Sequence, residues 1–175
     1  MLRQKGIMAK KRFLSKYDDQ KIWWLRFIRS ILVFGFIVFL LFAVIFGISR
    51  VSGHSMYPTL NDGDIVCYFR LDKNYERGDI ISVRMPNRDY YIKRVVAVAG
   101  DTVDIKDGIL YINGVPESGT YINGKTEQQE FVVYPYTVKE GTVFAVGDNR
   151  EVSIDSRTYG AFSVSQSRGT ILFGK

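Results

Sequence analysis

The feature that most limits how this chain can fold is an uncharged apolar run at residues 31–48, interrupted only by Gly35 and Gly47. As a helix rising about 1.5 Å per residue, the run reaches about 27 Å, close to the hydrocarbon thickness of a bilayer. A core helix of a globular domain normally carries a polar stripe, whereas this run is apolar on every side. A cleaved signal peptide has an apolar region of about 7–15 residues that ends at a small-x-small site. Here the run is longer and leaves through Ser49, Arg50 and Val51, so it reads as an uncleaved anchor. The basic cluster ahead of it places the N-terminus in the cytoplasm and everything after Ser49 outside. Trp23 and Trp24, beside Arg26 and Arg29, suit the cytoplasmic interface. The expected organisation is a basic cytoplasmic tail at 1–29, a transmembrane anchor at 30–49 and an extracytoplasmic domain at 50–175.

The net charge of +6 would invite a nucleic-acid partner if it belonged to the folded domain. It does not. Arg3, Lys5, Lys10, Lys11, Arg12, Lys16, Lys21, Arg26 and Arg29 face only Asp18 and Asp19 in the first 29 residues. The rest of the chain holds 15 basic and 16 acidic residues of the totals of 24 and 18. A phosphate-binding patch has to lie on the folded part, so nucleic acid is not an expected partner. The single cysteine, Cys67, excludes an internal disulfide, and its apolar neighbours make it a small core residue. One Cys and one His do not make a zinc site.

From Val51 onward the texture changes to short β-prone runs separated by turn residues. Strands are predicted at 64–69, 79–84, 90–99, 102–105, 109–112, 131–134, 142–146 and 170–173. Asp107-Gly108, Asn113-Gly114 and Asn123-Gly124 supply the positive φ of tight hairpin turns. No later segment has ten residues of helical period. The fold class is therefore an all-β domain, a folded-over sheet or barrel, behind one N-terminal transmembrane helix. The polar stretch 116–129 reads as an exposed excursion.

His54, the only histidine, directly precedes Ser55. Neighbouring residues in an extended chain point to opposite sides, so His54 is poorly placed to be the base for a Ser55 nucleophile. Lysine is the other proton acceptor, although its reference pKa of about 10.4 keeps it charged near neutrality. In the run 91–97, strand alternation puts Tyr91, Lys93, Val95 and Ala97 on one face and Ile92, Arg94 and Val96 on the other. Lys93 is the one charged side chain on its face, and burial there would depress its pKa as a lysine base requires. On periodicity alone, an amphipathic edge residue and a general base both remain open for Lys93.

A family resemblance narrows that choice. Ser52-Gly53-His54-Ser55-Met56-Tyr57-Pro58-Thr59-Leu60, followed by Gly63-Asp64, resembles the nucleophile box of type I signal peptidases. Tyr91-Ile92-Lys93-Arg94-Val95-Val96 with Gly100-Asp101 resembles that family's lysine box. Gly147-Asp148-Asn149-Arg150-Glu151-Val152-Ser153-Ile154-Asp155-Ser156-Arg157 with Gly160 resembles its third signature. The three boxes stand in the family's order behind an N-terminal anchor, and the single anchor is similar to the Gram-positive form.

The resemblance implies a membrane-bound serine endopeptidase that removes signal peptides from secretory preproteins at the bacterial cell surface. Ser55 would be the nucleophile and Lys93 the general base. Ser153 would orient the lysine amine, Asp155 and Arg157 would form a supporting ion pair, and Asp148 would belong to the same framework. Met56, Leu60, Tyr91 and Ile92 match positions that line shallow apolar pockets for the small −1 and −3 residues of a preprotein. Gly53 stands where the two-anchor form often has an oxyanion-stabilising serine, which leaves that role to main-chain N–H groups such as that of Ser55. The lipid bilayer is an expected partner, no metal or organic cofactor is implied, and oligomeric state is open. Ser55 follows Ser49 by six residues, which holds it within about 20 Å of the expected end of the anchor. A soluble self-cleaving Ser/Lys repressor would lack the anchor, and a non-catalytic homologue would lack Ser55 or Lys93.

Overall fold

The computed structural model describes residues 2–85 and 88–174, with side chains from residue 20 onward apart from that of 173. The chain divides into two compact units, Met1–Val44 and Ile45–Lys175. The first is a helix, α1, at Leu2–Ile45. Its segment Gln20–Ile45 is long and apolar enough to cross a membrane, and none of that segment is buried within the protein. Trp23, Trp24 and Phe27 cluster near its start, with ring centroids 5.4–5.9 Å apart. Aromatic rings of this kind favour a membrane–water interface.

One sequence expectation is revised here, and one segment has a structure that its charge left unspecified. The backbone of the basic segment is helical from Leu2, because charge density reports solvation and not coil, and Lys, Arg, Leu and Met are good helix formers. The side chains of Arg3, Lys5, Lys10, Lys11, Arg12 and Lys16 lie outside the described residues. The helix also stops at Ile45, and the apolar residues after it form strand β1, Phe46–Arg50. There the backbone changes from local to cross-strand pairing, running from Phe46↔Phe69 to Arg50↔Ile65. Apolarity alone does not report that switch. Gly47 permits it, since a Cβ at this position would overlap the Tyr68 ring.

The second unit is mostly β, a curled antiparallel sheet. The remaining strands are β2 Ile65–Phe69, β3 Ile80–Arg84, β4 Tyr90–Ala97, β5 Thr102–Lys106, β6 Ile109–Ile112, β7 Val115–Pro116, β8 Tyr136–Thr137, β9 Thr142–Val146, β10 Phe162–Ser163 and β11 Ser167–Gly174. A one-turn helix, α2 Ser156–Tyr159, precedes β10. Seven strands pair in the order β1-β2-β11-β3-β4-β9-β10, and four more in the order β7-β6-β5-β8. Asp107-Gly108 and Asn113-Gly114 turn the β5–β6 and β6–β7 hairpins, with all four residues at positive φ. Asn123-Gly124 joins no two strands.

The core has three clusters. Ile81, Val83, Val95, Val143 and Ala145 pack with Phe162. Val96, Ala97, Phe144 and Val146 pack with Val103, Ile105 and Leu110 of the smaller sheet. Val51, Met56, Leu60 and Val66 form the third, with Ile92 against them. A side chain such as Phe144, fully buried, contributes about 2–3 kcal/mol of transfer free energy. The strict alternation expected along β4 fails at its end. A register shift between Val95 and Ala97 sends Val96 and Ala97 into one cluster, as a β-bulge does.

Two further expectations change. Residues 131–134 alternate in burial, with Phe131 80% and Val133 84% exposed around buried Val132, yet they pair with no strand. The open edge of β5 is taken instead by Tyr136–Thr137. Periodicity reports faces, not partners. The excursion is not simply exposed either. Thr126 is buried, and Glu117 meets the buried Arg150 with both carboxylate oxygens, Oε1 at 2.8 Å and Oε2 at 2.6 Å. Cys67 is partly exposed on β2, on the face opposite the buried Val66 and Tyr68.

Candidate active site

The site gathers three pieces of chain: the turn after β1, strand β4 and the loop after β9. Gly53 starts the turn with φ +88°, a region that side-chain-bearing residues rarely adopt, and its N–H donates to Asp62 Oδ1 at 2.7 Å. Ser55 follows, partly buried, and Met56 anchors the turn with only 1% exposure in the third cluster. Leu60 closes it through its N–H to Met56 O at 2.9 Å.

Lys93 reaches Ser55 from the middle of β4. Its Nζ donates to Ser55 Oγ at 2.7 Å, and its ring neighbour is Tyr91, 5.4 Å from Nζ to the centroid. Only 1% of Lys93 is exposed, and it forms no ion pair with a carboxylate among the described residues. Burial therefore lowers its pKa from the usual 10.5 to about 8. The field of Arg157 pushes the same way, while Asp155 and Asp148 act at a distance to raise it. His54 is exposed beside Ser55, and its carbonyl is held by Asn149 Nδ2 at 3.1 Å.

The loop after β9 fastens the other two pieces. Asn149 N–H donates to Ser55 O at 3.0 Å. Asp148 is wholly buried and receives Arg94 Nε and Nη2, each at 2.8 Å, together with the Thr59 hydroxyl. The residue after the lysine and a residue of the serine turn thus converge on one carboxylate. Gly147 has no room for a Cβ, which would overlap both Ser55 O and Ser153 Oγ. Gly147 N–H donates to Asp155 Oδ2 at 3.0 Å.

Asp155 and Arg157 form a buried, two-pronged pair, Nε to Oδ1 and Nη2 to Oδ2, both at 2.9 Å. Burial alone would raise the Asp155 pKa, but the Arg157 bonds and charge hold it below the usual carboxylate range. Arg157 Nη2 also caps the carbonyls of Arg150 (2.7 Å) and Ser153 (3.2 Å), which sets the loop's shape. Asp155 additionally N-caps α2 through Arg157 N.

The resemblance-based assignments are brought together unevenly. Ser55 and Lys93 touch. Asp155 and Arg157 pair as expected but make no contact with either. Asp148 serves a separate joint, to Arg94 and Thr59. Ser153 is the main departure: among the described residues its buried hydroxyl makes no bond to Lys93, packs against Gly147 and helps to hold the Asp155 pKa down. Met56, Tyr91 and Ile92 line the groove that holds Ser55 and Lys93, an open cleft of about 760 Å³. Leu60 does not line it and belongs to the core, because its side chain turns in with Val51 and Val66.

Sequence reasoning missed Thr59, Arg94, Asn149 and the Arg150–Glu117 pair. Arg94 was legible in part, as the one charge between the apolar Ile92 and Val96 on its face of β4. Its partner lies 54 residues away. The excursion also adds the Tyr121 ring, whose centroid stands 4.1 Å from the Arg94 guanidinium.

Comparison with known proteins gives a consistent picture. The chain matches the family described as signal peptidase, peptidase S26, over residues 24–173. It is 32% identical to signal peptidase I of Bacillus licheniformis over 154 residues, 82% of this chain and 83% of that protein. It is also 32% identical to signal peptidase IB of Staphylococcus aureus over 167 residues, 85% of this chain and 87% of the relative. Among solved structures, a signal peptidase I from Enterococcus faecalis V583 is similar at 34% identity and a TM-score of 0.47, covering 55% of this chain and 96% of that one.

Proposed function

Because the chain belongs to the signal peptidase S26 family and is a serine endopeptidase of the signal peptidase I type, we propose that it cleaves secretory preproteins with a Ser55–Lys93 dyad through an acyl-enzyme. The observation that supports this most is the 2.7 Å contact between Ser55 Oγ and a lysine that is buried and has no carboxylate partner among the described residues. The neutral amine of Lys93 takes the proton of Ser55 as Oγ attacks the scissile carbonyl, and it later gives a proton to the leaving amine. Water then enters the same position and releases the signal-peptide acid. Ser55 N–H stabilises the oxyanion. Met56, Tyr91 and Ile92 line the groove for the small −1 and −3 side chains.

Gln20–Ile45 is the membrane span in this reading, with the N-terminus cytoplasmic and the β-unit outside. The span ends at Ile45, ten residues before Ser55, so the nucleophile stands within about 35 Å of it along the chain. That is wider than the 20 Å expected from Ser49, but it still keeps the dyad near a precursor tethered by its own apolar segment.

The test uses full-length protein in detergent micelles with a precursor bearing an Ala-x-Ala site, and reads the mature N-terminus by mass spectrometry. The parent is expected to cut after the second alanine, and Ser55→Ala and Lys93→Ala to fall by at least about 10³-fold. Undiminished cutting by Lys93→Ala would remove the general-base assignment while leaving the protease. A parent that cuts no precursor would point to a non-catalytic role in handling surface proteins.

A further inference from the structure

Most cations of the β-unit that are drawn inward have a carboxylate: Arg94 with Asp148, Arg150 with Glu117, Arg157 with Asp155. Arg70, Lys73 and Arg168 differ. They line one shallow depression together with Tyr68, and among the described residues none of the three has an ion-pair partner. Each is held in place by something other than an acid. Arg70 lies over the Tyr68 ring at 5.4 Å, Arg168 lies over the Tyr90 ring at 3.4 Å, and Lys73 Nζ donates to Ser167 O. The nearby Asp72 uses its carboxylate on Asn74 N–H at 2.9 Å. Three ordered cations around one hollow, two of them resting on aromatic faces, suit an oxyanion with several acceptor oxygens.

Chain continuity says where that hollow lies. Phe46 directly follows the last residue of the apolar helix and pairs with Phe69, and Arg70 N–H donates to Ile45 O at 2.9 Å. Arg70 is therefore one hydrogen bond from the end of Gln20–Ile45. A bilayer carries about 5–8 Å of headgroup beyond each edge of its hydrocarbon, within reach of an arginine side chain. We propose that Arg70, Lys73 and Arg168 form a binding site for the phosphate of an anionic lipid headgroup in the leaflet on the β-unit's side, a reading that rests on Gln20–Ile45 spanning the membrane. Because Arg168 also packs on Tyr90, which lines the catalytic groove, the lipid would sit beside the path of a membrane-tethered precursor.

Native mass spectrometry of the full-length protein in micelles doped with phosphatidylglycerol or phosphatidylcholine reads the site directly. The parent is expected to retain phosphatidylglycerol in preference, and an Arg70→Gln/Lys73→Gln/Arg168→Gln variant to bind it about fivefold more weakly for each charge removed. The basic residues before the span attract anionic lipid equally in both proteins, so the difference between the two carries the signal. If the triple variant fails to fold, the single variants Arg70→Gln and Arg168→Gln, at exposed positions, carry the same test at about fivefold each. Equal retention by parent and variants overturns the site. Displacement of the lipid by an equal concentration of inorganic phosphate overturns the headgroup assignment in favour of a free-anion site. Flotation with phosphatidylcholine vesicles after alkaline carbonate tests the span separately. A parent that does not float loses the membrane reading, whereas one that floats but shows no charge-dependent retention loses only the headgroup site.

Discussion

Lys93 and Arg157 are equally hidden cations, each 1% exposed, and the molecule treats them in opposite ways. Arg157 donates to both oxygens of Asp155 and to two main-chain carbonyls, so its charge is fully satisfied. Lys93 donates to a neutral hydroxyl and lies by the face of a tyrosine. One arrangement fixes a loop. The other keeps an amine ready to lose its proton. Burial is the same in both, so the presence or absence of a carboxylate within bonding distance separates a cation held charged from an amine with a lowered pKa.

The largest effect expected from breaking that contrast is at the satisfied end. Asp155→Ala leaves Arg157 buried and uncompensated, and should cost about 3–5 kcal/mol of stability in denaturant unfolding. A loss below about 1 kcal/mol would mean that Arg157 finds water or another acceptor.

At the unsatisfied end the sign reverses. The folded pKa of Lys93 lies below its unfolded value, so protonating it in the fold is unfavourable. That cost is full below about pH 8, shrinks as pH rises, and is gone above about pH 10.5. Lys93→Met, close in volume, should therefore raise stability by up to about 3 kcal/mol near pH 7 while abolishing cleavage, with the gain fading toward pH 10.5. Unfolding midpoints of the two proteins across that range check it, and a pH-independent difference would contradict the linkage.

The same value sets the rate profile. If the free amine of Lys93 is the base, as proposed, kcat/KM should rise about tenfold per pH unit below about 8 and level off above it. A plateau already reached at pH 6 would indicate a base other than Lys93.

The smallest effect concerns Ser153, whose buried hydroxyl makes no well-aligned hydrogen bond among the described residues. Removing an unsatisfied hydroxyl should leave stability unchanged or raise it by up to about 1 kcal/mol, so Ser153→Ala is expected to melt no lower than the parent. A clear loss of melting temperature would mean that the hydroxyl is bonded in solution, with Asp155 as the partner at hand.

Much of this site was legible before any coordinates. The resemblance carried by Ser55, Lys93 and the Gly147–Arg157 signature singled out two residues that the structure puts in contact, and Lys93 is also the lone charge on one face of β4. The strands at 80–84, 109–112 and 142–146 follow from alternation and turn chemistry. What went unread has a common cause. The strand expected at 131–134 has the right faces but no neighbouring edge, and the excursion is held because Glu117 satisfies an arginine 33 residues later. The bond expected between Ser153 and Lys93 depends on where a hydroxyl points after Gly147 lets two segments close together.

The sequence by itself determined the apolar helix, the β character of the rest and the three short boxes that mark the family, because these rest on residue type, local period and short motifs. Only the tertiary structure decided that β1 begins at Phe46, that Asp148 serves Arg94 and Thr59 instead of Arg157, and that Leu60 belongs to the core. It also decided that, among the described residues, Lys93 has no acid within bonding distance. Each of these depends on which distant groups share a hydrogen bond or exclude water, and no local pattern in a chain specifies that.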